Sequence, residues 1–290
     1  MADHKVVCFG EVLWDILPSG SVPGGAPMNV AYHLHKQRKD PAIITRIGKD
    51  EKGDELIRIF SDHGLCIDFF QFDNIHETGK VYAMPNEHNE VVYDIVKPVA
   101  WDFIETENRH EALVSGADYF VFGSLAARSP QSRKTLLRLL EFAKIKVLDI
   151  NLRPPHFDKT IVEELLSKTD FLKLNLSELE LITSWYSKYT SITDNLRSIS
   201  DKFKIQNMVV TMGGDGAILQ YNGHANTHKG FKVKVADTVG SGDAFLAGLL
   251  AKLLDKASPA ETLEFASRLG SFIATKKGAC PDYNVEEIIV

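Results

Sequence analysis

In Val235-Ala-Asp-Thr-Val-Gly-Ser-Gly-Asp-Ala-Phe-Leu-Ala-Gly-Leu-Leu-Ala251 a glycine turn runs straight into an apolar segment. Val233 and Val235 alternate with Lys232, Lys234 and Ala236, which predicts a β-strand over 231–236 leading into the turn. After Gly240 and Gly242, the residues Phe245, Leu246, Leu249, Leu250, Leu253 and Leu254 leave no polar face. The pattern therefore predicts a buried helix. A glycine-rich turn that opens a helix aims unpaired N–H groups and the positive dipole end at one spot, which suits a phosphate or a developing negative charge. Asp243 has two readings here: an N-cap, or a carboxylate placed beside that anion site. The turn is not a Gly-x-x-x-x-Gly-Lys-Ser/Thr loop, and it lacks the third glycine of a dinucleotide fingerprint.

With 290 residues the chain is long enough for one large α/β domain, and 25% charged with 44% hydrophobic residues is ordinary for a soluble fold. A net charge of −6 provides no basic surface for nucleic acid and no polybasic membrane patch. Cys8, Cys66 and Cys280 are odd in number and far apart, which fits a reducing compartment better than a disulfide framework or a zinc site. The longest apolar run, 244–251, is too short to span a bilayer, and the first residues show no signal-peptide pattern. The expected location is the cytoplasm.

Outward from the turn, the chain alternates strand and helix. Strands are predicted at 6–9, 42–47, 119–122, 146–151, 171–175, 208–212 and 217–221, and helices near 54–63, 130–143, 160–167, 177–186, 192–203 and 259–276. This is the pattern of a mainly parallel central sheet with helices on both faces, whose ligands sit beyond the carboxyl ends of the strands. Polar residues gather at those ends: Asp149, Asn151 and Arg153 after one strand, Asn175 and Glu178 after the next, and Thr211-Met-Gly-Gly-Asp-Gly216 after a third. Near the start, Gly24-Gly25-Ala-Pro-Met-Asn29 places a glycine pair at a helix entrance, with Pro27 at a favoured first position. The region 66–99 differs. Strands at 80–84 and 91–96 flank a turn at 85–90, and no helix is expected there.

Asp237-Thr-Val-Gly-Ser-Gly-Asp243 resembles the signature of the ribokinase-like carbohydrate kinases, the PfkB family, and the likeness extends from Val6 to about Pro281. The resemblance implies a single ribokinase-like domain over 1–290 with a small β lid formed by about 11–23 and 66–99. It makes Asp243 the general base, at an anion hole built from the N–H groups of Val239 to Gly242, with Gly240, Ser241 and Gly242 as its catalytic turn. Asp15, Gly24, Gly25, Asn29 and Arg153 become sugar contacts, with Tyr82 and Tyr93 of the lid as candidates to cover a sugar face. Asn175-x-x-Glu178 would organise magnesium through water, and Thr211, Gly213 and Gly216, with Gly242, would hold the nucleotide. Asp237 and the segment 274–279 resemble a monovalent-cation site for potassium, and Lys276-Lys-Gly-Ala-Cys-Pro281 resembles the closing segment near the adenine. Ser241 stands where the family more often has Ala or Cys. The segment Arg46-Ile-Gly-Lys-Asp-Glu-Lys-Gly53 also matches the family, and is read as a turn and helix start without catalytic role.

The resemblance thus implies an ATP- and magnesium-dependent kinase acting on a sugar primary hydroxyl, most similar to fructokinases. Ribose, 2-keto-3-deoxygluconate or a nucleoside remain alternative acceptors, and a non-catalytic nucleotide or sugar sensor is the alternative of another class. A dense set of hydroxyls calls for the residue types found here: a carboxylate such as Asp15 accepts from two hydroxyls, and an amide such as Asn29 both donates and accepts. The expected partners are the sugar and ATP, with no nucleic acid and no membrane. The edges of a lid sheet would also allow a homodimer.

Overall fold

The computed structural model describes residues 4–18, 20–85, 91–188 and 190–288. In chain order its elements begin with β1 (Val6–Phe9), β2 (Leu13–Leu17), β3 (Gly20–Gly24), α1 (Ala26–Lys36), β4 (Ala42–Gly48), α2 (Glu51–Asp62) and β5 (Phe70–Asp73). They continue with β6 (Gly79–Pro85), β7 (Val91–Ile95), α3 (Asn108–Gly116), β8 (Tyr119–Gly123), α4 (Pro130–Leu140), β9 (Ile145–Asp149) and α5 (Lys159–Ser167). The remainder is β10 (Phe171–Asn175), α6 (Leu176–Ser184), α7 (Ile192–Phe203), β11 (Asn207–Thr211), β12 (Ala217–Tyr221), β13 (His224–His228), α8 (Ser241–Leu254) and α9 (Pro259–Ala274).

Nine strands form one sheet in the order β13-β12-β11-β10-β9-β8-β1-β4-β5. From β11 to β5 every pairing is parallel, and only the β11–β12 and β12–β13 pairings at one edge are antiparallel. Alternation along the strands feeds two cores. Val6 and Cys8 pack in a cluster with Leu34 of α1, Leu246 and Leu250 of α8 and Ile273 of α9. Val7 and Phe9 pack on the opposite side with Leu136 and Leu139 of α4, Leu165 of α5 and Ile182 of α6. The expected mainly parallel sheet with helices on both faces is what forms. A second sheet, β3-β2-β6-β7, stands apart from it.

Three features differ from the sequence reading. The segment 231–236 is not a strand: it is irregular chain, and Val233 and Val235 are exposed. The sheet edge is taken instead by β13, which the Asn222-Gly223 turn folds back on β12. Both residues have the positive φ, 50° and 78°, that such a tight hairpin needs. Second, Phe70–Asp73, placed in the lid range 66–99, pairs in parallel with β4 and belongs to the large sheet. The smaller sheet takes only Gly79–Pro85 and Val91–Ile95 from that range. Third, β9 stops at Asp149, so Asn151 lies beyond the strand, with φ 38°. Residues 86–90 of the turn expected at 85–90 lie outside the described residues.

Asp50 caps α2 through Gly53 N–H and also holds Thr78 by its N–H and its hydroxyl, which ties this turn to the entrance of β6. That matches the structural role read for 46–53. Among the described residues no helix is long and apolar enough to cross a membrane.

Candidate active site

Because β1, β8, β9, β10 and β11 are parallel neighbours, the turns after them open at one end of the sheet. A cavity of about 620 Å³ lies there, bounded on its other side by residues of the smaller sheet such as Asp15, Val81 and Tyr93. Of the residues singled out in the sequence, Asp15, Gly25, Asn29, Arg153, Asn175, Thr211, Gly213 and Gly216 line this cavity. So do Asp237, Gly240, Ser241, Gly242 and Asp243. Gly24 and Glu178 are not on its wall. Gly24 packs under the Asp15 carboxylate, and Glu178 is buried behind Asn175. Tyr93 reaches the cavity, whereas Tyr82 does not.

The helix that carries Asp243 begins one turn earlier than an Asp243 cap would require. The N-cap of α8 is Gly240, in the left-handed region with φ 76°, and no side chain caps the helix. A Cβ at Gly240 would also lie 2.6 Å from Ala279 Cα, so glycine is required twice over. Asp243 sits in the first turn, and its carboxylate accepts instead from Asn29 Nδ2 at 2.7 Å. Not all the N–H groups expected to form an anion hole are free. Val239 N–H donates to Asp237 Oδ1 and Ser241 N–H to Thr238 O. The N–H groups of Gly240, Gly242 and Asp243 have no protein acceptor among the described residues. Ser241 keeps its place by donating its hydroxyl to Gly270 O of α9 at 2.9 Å.

Lys173 is the residue that sequence reasoning missed. It sits opposite Asp149 in the β9–β10 register, and its Nζ meets both Asp149 oxygens at 2.9 and 2.8 Å. A Cβ at Gly242 would be 3.1 Å from this Nζ, so a buried cation lies directly under the start of α8. Burial alone would lower its pKa, but Asp149, Asp243 and Glu178 outweigh that and hold it above the ordinary value. The signal was visible as one charge inside the apolar run Phe171-Leu-Lys-Leu174.

Burial shifts the two cavity carboxylates in the same direction. Burial, then the Asp149 charge, push Asp243 up to about 6 against the pull of Lys173 and the Asn29 hydrogen bond. Burial likewise raises Asp15 to about 6, with Arg153 opposing and Asp243 adding to the shift. Asp243 is therefore ionised at neutral pH yet basic enough to take a proton, the range that suits a general base.

Beside Asp243, Gly25 caps α1 with φ 114°, and a Cβ there would fall 2.3 Å from the Glu11 carbonyl. That fit brings Asn29 to Asp243 and also to Cys280, whose thiol donates to Asn29 Oδ1 at 3.3 Å. On the other side, Asn175-x-x-Glu178 is a capping box at α6, with Glu178 N–H to Asn175 Oδ1 at 2.9 Å and Asn175 N–H to Glu178 Oε2 at 2.8 Å. Leu152 N–H donates to the second oxygen, Oε1, at 2.9 Å. Asp237 accepts from Val239 and Gly278 N–H groups and so ties the turn to the segment after α9.

The donor set fits magnesium held mostly by water. Among the described residues no group of three or more His, Cys, Asp or Glu could cage a metal ion. Magnesium bound with phosphates commonly keeps several waters and uses one or two carboxylates. Each Glu178 oxygen accepts a single backbone bond, which leaves room to accept from a metal-bound water while the cap stays intact.

Residues 5–285 match the pfkB family of carbohydrate kinases. The chain is 27% identical over 310 residues to fructokinase-1 of Zea mays, covering 97% of this chain and 95% of that protein. It is 27% identical over 300 residues to the fructokinase of Escherichia coli, covering 95% and 94%. Among solved structures it resembles the fructokinase of Vibrio cholerae O395 in its fructose-, ADP- and calcium-bound form. That likeness has a TM-score of 0.84 and 25% identity over 99% of this chain and 98% of that one. The fold is thus the ribokinase-like one.

Proposed function

Because this chain belongs to the pfkB family of carbohydrate kinases, we propose that it transfers the γ-phosphoryl group of ATP to D-fructose, giving fructose 6-phosphate. Kinase activity on a sugar is the family's chemistry, and the choice of fructose rests on the fructokinases it resembles over nearly its whole length. The observation that carries the mechanism is Asp243: a carboxylate at a helix start that caps nothing, pushed up to about 6, in one cavity with Asp15 and Thr211.

In this reading the sugar lies against Asp15, Gly25 and Asn29, with its primary hydroxyl toward Asp243. Asp243 takes that hydroxyl's proton as the oxygen bonds to the γ-phosphorus, and the bond from phosphorus to the bridging oxygen breaks to release ADP. The N–H groups of Gly240 and Gly242, with Lys173 beneath them, stabilise charge on the transferring group. Asn29 holds the Asp243 carboxylate in orientation, and Arg153 offsets the crowding of carboxylates. Thr211, Gly213 and Gly216 form the nucleotide side. Asn175 and Glu178 would hold magnesium through water, and when bound it supplies charge that neutralises the phosphates. Asp237 and the 274–279 segment would place potassium, expected to stimulate the rate. The outer strands of the smaller sheet, β3 and β7, offer edges through which two copies could pair. With Cys8, Cys66 and Cys280 all free thiols, we place the activity in the cytoplasm.

The test is ADP release across a panel of ketohexoses, aldopentoses, keto-deoxy acids and nucleosides, with ATP and magnesium. Fructose should give the highest kcat/KM. A higher value for another sugar would reassign the acceptor, and no ADP release with any of them would return the protein to the sensor reading.

A further inference from the structure

Glu11 lies just beyond β1, is 2% exposed, and forms part of the wall of the cavity that holds Asp15, Asn29 and Asp243. Its Oε2 is buried and has no hydrogen-bond partner among the described residues. Buried polar atoms are almost always paired, because an unpaired one costs free energy. At a cavity wall, the partner that the chain does not supply is one that a ligand can bring.

The neighbours decide which kind of partner. The charged groups facing Glu11 are Asp243 from α8 and Arg153 from the turn after β9, with Asp15 of β2 and Lys173 of β10 lining the same cavity. Asp15 and Asp243 can only accept once ionised, so sugar hydroxyls donate to them and are left with lone pairs to fill. A protonated carboxyl is the donor that complements such a set. Resting on the sugar-kinase reading above, we propose that Glu11 is a sugar-binding residue whose Oε2–H donates to an oxygen of the bound sugar. Burial, with the Asp243 charge adding to it, pushes the Glu11 carboxyl up to about 7, so the donor form is present at and below neutrality and is lost above it.

The experiment compares wild type with Glu11→Gln and Glu11→Leu, measuring kcat and the KM of sugar and ATP from pH 6 to 9, with thermal melts to check folding. Gln keeps a neutral donor of the same shape, whereas Leu keeps the bulk and removes the donor. Glu11→Leu should raise the sugar KM about five- to tenfold with the ATP KM within about twofold. Glu11→Gln should stay within about threefold of wild type near pH 6.5. Above about pH 7 the wild-type sugar KM should rise while that of Glu11→Gln stays flat. An unchanged sugar KM in Glu11→Leu, or equal losses for sugar and ATP, overturns the assignment while leaving the kinase reading standing. If the Leu variant does not fold, the pH series decides: parallel profiles for wild type and Glu11→Gln overturn it. Wild type that turns over no sugar overturns the kinase reading, and this assignment with it.

Discussion

Asp243 stands in the first turn of α8 and is held by Asn29, so replacing it by Asn removes a base while Gly240 continues to begin the helix. The Asp243→Asn protein should fold, bind ATP about as before, and turn over at least about a hundredfold more slowly. In wild type the rate should fall as pH drops through about 6, where Asp243 takes up its proton. Stability moves in the opposite sense. A carboxyl whose folded pKa lies above its unfolded value contributes most below the unfolded value, and that contribution is lost as pH rises through about 6. Asp243→Asn should therefore melt a few degrees above wild type at pH 8, and by a smaller margin near pH 4. Near-normal turnover, or an identical Tm difference at both pH values, would remove this account of Asp243. At this scale the sequence was legible where glycines marked a close approach, at Gly25 and Gly240. It was not legible at Glu11, and at Lys173 it showed only as a charge in an apolar strand, whose Asp149 partner is set by the β9–β10 register.

Among the elements, α6 shows how one motif supports two readings. Asn175-x-x-Glu178 has the spacing of a capping box, and the structure forms one, with a third bond from Leu152 N–H that fastens the turn carrying Arg153. Glu178→Gln can keep only one acceptor oxygen, so it must leave a backbone N–H unpaired, at a cost of about 1–3 kcal/mol. Under the magnesium reading it should also shift the magnesium dependence of the rate upward. A lowered Tm with an unchanged magnesium titration would leave Glu178 as a cap alone. The central helix was legible because Ala244–Ala251 is apolar on every side, which only a buried helix tolerates. The strand expected at 231–236 failed because two valines among lysines mimic the period of a strand without a neighbour to pair with. The hairpin that did form was written in Asn222-Gly223, a turn signal inside a polar segment with little apolar alternation.

For the molecule as a whole, the large sheet supplies the floor of the cavity and the smaller sheet its far wall. Tyr93 of β7 is half exposed and faces the cavity, so it contributes little to stability and has surface left for a ligand to cover. Tyr93→Ala should raise the sugar KM about three- to tenfold, with the ATP KM and the Tm nearly unchanged. Equal effects on both substrates would show that the smaller sheet does not contact the sugar. The alternation of strands and helices made the large sheet legible. The assignment of β5 to it was not, because Phe70-Gln-Phe-Asp73 carries no mark of which sheet it will join until β4 is in place.

The sheet order has a consequence for how the chain comes to be folded. β1, the first strand in the described chain, has β4 on one side and β8 on the other, and β8 begins more than a hundred residues later. Until Tyr119–Gly123 arrives, Val6-Val-Cys-Phe9 has one edge unpaired, and its side chains are apolar on both faces. During synthesis such an edge invites pairing with other chains, and it is a natural client for a chaperone. The strand at the heart of the finished protein is thus left with an open edge while the chain is being made.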